Sequence, residues 1–155
     1  MGFDDAFDAL IAHEGGYASD PRDPGGETKY GISKRAYPFL DIKALSLADA
    51  KAIYRRDYWQ AAGCEAVPEP LRFDLFDMAV HSGVRAATLT LQKAAKVAED
   101  GVLGPKSLAA IAASDPAALI ARFNGARLAM MTELATWSSF GKGWARRIAA
   151  NLMRA

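Results

Sequence analysis

Glu14-Gly15-Gly16-Tyr17-Ala18-Ser19-Asp20-Pro21-Arg22-Asp23-Pro24-Gly25-Gly26-Glu27-Thr28-Lys29-Tyr30-Gly31-Ile32-Ser33 is the stretch on which the fold class turns. Its residues 15–33 hold five glycines and two prolines. Asp20-Pro21 and Asp23-Pro24-Gly25-Gly26 are strong turn signals, because proline presets φ and glycine accepts conformations other residues avoid. The run Thr28–Ser33 suits a short strand. The segment therefore predicts a small hairpin, or a sheet of two or three strands.

On either side of it the pattern is helical. Phe3, Phe7, Leu10 and Ile11 fall at i, i+4, i+7 and i+8 and predict a helix over 3–13. Ser46 with Asp49 resembles a capping box and predicts a helix over 46–62. Further helices are expected over 69–82, stopped by Gly83, and over 84–98, stopped at Asp100-Gly101. Pro105 and Asp115-Pro116 sit where first helical turns place them, predicting helices over 105–113 and from 116 to 137. A last helix is expected over 142–153. The predicted class is mostly α, an α+β fold with a small N-terminal β-hairpin or sheet.

The 155 residues suit one domain, with an N-terminal lobe, 1–83, carrying the acidic hairpin and a helical lobe, 84–155. Residues 1–80 hold 9 Lys/Arg and 14 Asp/Glu, a net of −5; residues 81–155 hold 10 and 4, a net of +6. A basic half attracts polyanions, and an anionic cell wall is one such partner. The basic residues form no run and no nucleic-acid-binding motif is visible, so nucleic acid is not expected as a partner. The lone Cys64 reads as a core filler, and one cysteine with two histidines argues against a structural metal site. No cofactor is implied. No stretch is apolar enough for stable membrane insertion, and the acidic start, Asp4-Asp5, is unlike a secretory signal. Synthesis in the cytoplasm, action outside it after release and a monomeric state are expected.

Glu14 follows a predicted helix end. The negative pole of the helix dipole raises the pKa of a carboxyl placed there. A general acid in glycoside hydrolysis needs such a raised pKa, with a second carboxylate across the scissile bond. Asp23 or Asp20 is the candidate partner, with Glu27 a further one, and Thr28 offers a hydroxyl to a water. Tyr17 and Tyr30 present flat faces suited to pyranose rings, and Gly31 lets backbone approach a sugar closely.

The segment His13 to Pro38, HEGGYASDPRDPGGETKYGISKRAYP, resembles the signature of glycoside hydrolase family 108, the muramidases of phage endolysins and bacterial secretion activators. Phe73 to Gly83, FDLFDMAVHSG, is similar to the family's second block, with His81 where asparagine is expected. Leu91 to Ile111 and Trp137 to Ile148 resemble the peptidoglycan-binding region that follows in this family. The resemblance implies a lysozyme-like fold, peptidoglycan glycan strands as substrate and Glu14 as the catalytic residue. It also implies a sugar contact at His81 and a holin or holin-like export partner. A weaker likeness to phage-type lysozymes rests on Glu14, Asp23 and Thr28, spaced nine and five apart; it implies an inverting hydrolysis. Two other readings remain open: a lytic transglycosylase acting on the same bond, and a wall-binding or secretion-assisting protein without catalysis.

Overall fold

The computed structural model describes residues 1–12, 16–22 and 24–154. Its order is α1 (Phe3–Ile11), β1 (Ala18–Ser19), β2 (Glu27–Lys29), β3 (Ile32–Ser33), α2 (Leu47–Tyr54), α3 (Glu69–Ser82), α4 (Val84–Ala94), α5 (Pro105–Ala113), α6 (Pro116–Thr132) and α7 (Trp137–Leu152). A π-helical turn, Arg55–Gln60, follows α2, and a 3-10 turn, Cys64–Ala66, precedes α3. The mostly α class with a small sheet is thus the observed one. The chain divides into two compact units: Gly2–Asp57, and Tyr58–Ala155 together with Met1.

In the first unit α1 buries Phe3, Ala6, Phe7 and Leu10, the apolar stripe of its sequence. Phe7 meets the ring of Tyr54 edge-on at 5.5 Å. The sheet is antiparallel in the order β1-β2-β3. Ala18 pairs with Thr28, and Lys29 with Ile32. That last register leaves a two-residue turn, Tyr30-Gly31, with φ of 51° and 76°. Both residues are left-handed, which suits the right-handed twist of a tight hairpin but is unusual for tyrosine. The hydroxyl of buried Tyr54 donates to the Tyr30 carbonyl at 2.8 Å and holds the turn. Two lysines strap the following loop to the sheet: Lys29 Nζ donates to the Lys43 carbonyl at 2.9 Å, and Lys34 Nζ to that of Leu40 at 2.6 Å.

The second unit is built on α3, buried along nearly its whole length from Leu71 to Ala79. It packs on α4 and α6, and α6 packs on both α4 and α7. Trp59 meets Phe76 edge-on at 5.5 Å. Cys64 is fully buried, as expected, and burial pushes its thiol up to about 12. Gln92 ties the turn after α4 together: its amide nitrogen donates to Asp100, the Val102 carbonyl and Ser107, while its oxygen accepts from Gly101 N–H.

Helix starts follow the local signals closely. Ser46 and Asp49 form the full capping box, and Asp115 accepts from Ala118 N–H at 2.9 Å. Helix ends follow them less well. The helix expected over 46–62 is α-helical only to Tyr54 and then widens. The helix α4 stops at Ala94 rather than 98, where Lys96 turns left-handed with φ 59°. The predicted 116–137 helix breaks after Thr132 and α7 begins at Trp137, five residues early, across a turn without glycine or proline.

Candidate functional site

The acidic hairpin lies in the first unit. Of its expected site residues, Glu14 and Asp23 lie outside the described residues, as does His13. Thr28 sits half-buried in β2, paired to Ala18 on one side and Ser33 on the other. Glu27 opens the same strand, and its Oε1 accepts from the Tyr17 hydroxyl at 2.9 Å. That bond raises the Tyr17 hydroxyl above its usual pKa. Lys43 Nζ stands 5.8 Å from the centre of the Tyr17 ring. Tyr30 and Gly31 form the turn at the other end of the β2–β3 hairpin.

Asp20 is committed locally. Arg22 donates its backbone N–H and its Nε to Oδ1, at 2.9 and 3.1 Å, and its Nη2 to Oδ2 at 3.1 Å. These bonds hold the Asp20 carboxyl below its usual range. The pair is solvent-exposed and contributes little stability. It does occupy both carboxylate oxygens.

In the sequence, Tyr54, Tyr58 and Trp59 fall on one helical stretch, which suits core or rim packing first and a sugar subsite second. Tyr54 and Trp59 are each 1% exposed, and Trp59 Nε1 donates to Glu65 at 3.2 Å. Both belong to the core, and neither has a face open to a sugar.

The second unit holds an electrostatic cluster that the sequence reading missed. Asp77 of α3 is buried, and its Oδ2 accepts from Arg127 Nη1 of α6 at 2.7 Å and from Asn151 Nδ2 of α7 at 2.9 Å. Its Oδ1 accepts from Arg147 Nε at 2.8 Å. Arg127 is fully buried. Burial pushes the Asp77 carboxyl up, but Arg127 and then Arg147 pull it further down, below its usual range. Asp74, one turn earlier, is equally buried; burial pushes it up to about 6 against the pull of Asn124 and Arg127. His81, one turn after Asp77, is held neutral down to about 4, by burial first and then by Arg147 and Arg127. The signal available was two aspartates inside a run of buried apolar residues, which requires buried partners elsewhere in the chain. Arg147 is half-buried against Asp77, while Arg146 is exposed.

These shifts set a pH dependence. Between about pH 4 and 6 folded Asp74 keeps a proton that the unfolded chain, with its value of 3.8, has lost; stability falls with rising pH across that window. Between about pH 4 and 6.5 His81 acts oppositely: the unfolded chain holds the extra proton, and stability rises with pH. The two trends cancel in large part, so the wild-type protein should show a flat melting temperature from pH 4 to 6. Asp74→Asn should then gain stability with rising pH, and His81→Asn should lose it. Melts of both variants at three pH values test this, and parallel slopes would contradict the assignment.

Among the described residues no group of three or more His, Cys, Asp or Glu is placed to hold a metal ion. No described helix is long and apolar enough to cross a membrane.

Two family models match the chain: glycosyl hydrolase 108 over residues 7–83, and a predicted peptidoglycan domain over residues 86–149. Among solved structures the chain is similar to SagA of Brucella abortus, with 36% sequence identity and a TM-score of 0.89. The similarity covers 98% of this chain and 92% of that one. No curated protein sequence matches it.

Proposed function

Because the chain belongs to the glycosyl hydrolase 108 family, we propose that it is a peptidoglycan hydrolase, an N-acetylmuramidase cutting the β-1,4 bond from N-acetylmuramic acid to N-acetylglucosamine. The observation that carries this reading is the family match over residues 7–83, which contains the whole acidic hairpin, on a lysozyme-like, mostly helical fold. In this reading residues 1–83 form the catalytic part and 84–155 the wall-binding part, a division supported by the bounds of the two family models.

Glu14 is the general acid and protonates the leaving oxygen. Supporting this role, the preceding helix ends at Ile11 with no basic residue in its last turn, so its negative pole is not neutralised by a local cation. Asp23 is the second carboxylate. The alternative, Asp20, has both oxygens taken by Arg22, which favours Asp23. Thr28, held in the central strand, is the hydroxyl that orients water. Tyr17, Tyr30, Gly31 and His81 contact the glycan. The enzyme acts on the wall after release from the cytoplasm, with a holin-type partner supplying the route.

The products test this reading. Digestion of purified peptidoglycan, followed by borohydride reduction and mass spectrometry, should yield muropeptides ending in reduced N-acetylmuramic acid. Ends lighter by one water, the 1,6-anhydro form, would make the protein a lytic transglycosylase. Reduced N-acetylglucosamine ends would place the cut at the other bond. The peptidoglycan-domain match supports one further reading, wall binding without cleavage. Retention on insoluble peptidoglycan with no released fragments would favour it.

A further inference from the structure

In the second unit, the end of α3, the end of α6 and the first half of α7 enclose a cleft of about 260 Å³. Its apolar lining includes Met130, Met131, Leu134 and Trp144, and its polar lining His81 and Ser82. Known ligand pockets begin at about 300 Å³, so a cleft of this size suits one ring rather than a chain.

Beside it α7 presents an aromatic face. Phe140 stacks on Trp144, with centroids 5.9 Å apart and planes at 29°, and Trp137 lies 6.1 Å from Trp144. His81 meets Trp144 edge-on at 6.0 Å. The three α7 rings sit at i, i+3 and i+7, on one side of the helix. That side is not a finished core: Phe140 is 57% exposed and Leu134 45%. Gly141 is part of the arrangement, because a Cβ there would stand 2.4 Å from the Trp137 indole. The imidazole Nδ1 of His81 is buried with no hydrogen-bond partner among the described residues. Neutral imidazole offers one N–H and one acceptor nitrogen. On the outer side of α7, Lys142 and Arg146 are exposed.

We propose that this cleft in the second unit, which includes the glycan contact His81, binds one N-acetylated pyranose of a glycan strand. The proposal rests on the peptidoglycan reading above. The C–H face of a pyranose packs on an aromatic ring, which the exposed Phe140–Trp144 pair provides. The acetamido methyl takes the methionine-lined floor, and the acetamido carbonyl accepts from the His81 imidazole. Lys142 and Arg146 complement the carboxylate of a neighbouring muramyl group. The cleft residues from the α6 end onward lie within the span that matches the peptidoglycan-domain model, 86–149.

The test uses the full-length Glu14→Gln protein, so that the glycan is not cut, with chitotetraose and cellotetraose as probes. The three tryptophans give three indole N–H signals in a two-dimensional NMR spectrum. Chitotetraose should shift those of Trp144 and Trp137 and leave that of core Trp59 in place, and cellotetraose, which lacks acetamido groups, should shift none. Phe140→Ala, at an exposed site, should weaken chitotetraose binding roughly 2–10-fold, the range of one aromatic contact. His81→Ala should weaken it and remove the discrimination between the probes. Static indole signals, equal response to both probes or unchanged affinity in Phe140→Ala would overturn the proposal. So would concentration-dependent broadening of Trp144 without a glycan response, which would mark a contact between copies of the chain. Lysis by the wild-type protein is measured in parallel. Lysis without indole shifts removes this site alone; indole shifts without lysis remove the hydrolase reading alone.

Discussion

Glu14→Gln is expected to lower the rate of peptidoglycan clearance by at least about 100-fold, the lower range of a general acid's contribution. The substitution keeps the size and hydrogen-bonding reach of the side chain and removes the proton it must deliver. The bond to be broken has a poor leaving group, a sugar hydroxyl, and protonation of that oxygen is what makes it leave. A carboxyl with the usual value near 4.3 would be almost wholly ionised at neutral pH. The carbonyl end of a helix counters this for a carboxyl beside it, because ionisation there adds charge to an already negative pole. The described part of α1 closes at Ala12, whose N–H donates to the Asp8 carbonyl, and its buried stripe ends at Leu10. The variant should therefore melt with the wild-type protein. Two companions separate the second carboxylate: Asp23→Asn should also cost most of the activity, whereas Asp20→Asn should cost little, since it breaks only an exposed pair with Arg22. Turbidity loss of a peptidoglycan suspension reads all three. Glu14→Gln clearing the suspension at most of the wild-type rate would remove Glu14 from the mechanism.

Asp77→Ala should be the most damaging single change to the second unit. One carboxylate there takes donors from two helices, Arg127 from α6 and Arg147 and Asn151 from α7. Removing it leaves the fully buried Arg127 guanidinium without its hydrogen-bonded counter-charge, and its Nε and Nη2 already have no partner among the described residues. Breaking a buried pair from one side costs about 3–5 kcal/mol. In a chain of this length that is a fall of roughly 10 °C or more in melting temperature. Replacing the neighbouring aspartate has the opposite sign at neutral pH: Asp74→Asn removes a carboxylate whose burial raises its pKa to about 6. Calorimetry at pH 7.5 distinguishes them. Equal loss in both variants would mean that α3 tolerates neither change for reasons of packing rather than charge.

The same contrast separates what could be read along the chain from what could not. Helix starts, the hairpin and the class of the fold are local in origin. They depend on where Ser46, Pro105 and Asp115-Pro116 stand, on the stripe Phe3-Phe7-Leu10, and on the glycine and proline spacing of residues 15–33. The caps and turns act through a bond or a steric limit within four residues of themselves, and the stripe through its spacing along one helix. The proposal of Glu14 as the acid rests mainly on the long motif that surrounds it.

Tertiary structure decided the rest. The break between α6 and α7 has no breaker residue; the two helices pack on one another, and both donate to Asp77 of α3. Nothing near Asp74 and Asp77 in sequence says that one carboxylate is held ionised and the other pushed toward its neutral form. The difference comes from Arg127 and Arg147, 50 and 70 residues away. Likewise Trp137 and Trp144 become part of a half-exposed face only once Phe140 stacks on Trp144 and His81 is brought against it. Local conformation is set by near neighbours and is written in sequence order. Charge compensation and surface shape depend on distance in space, and folding alone brings those residues together.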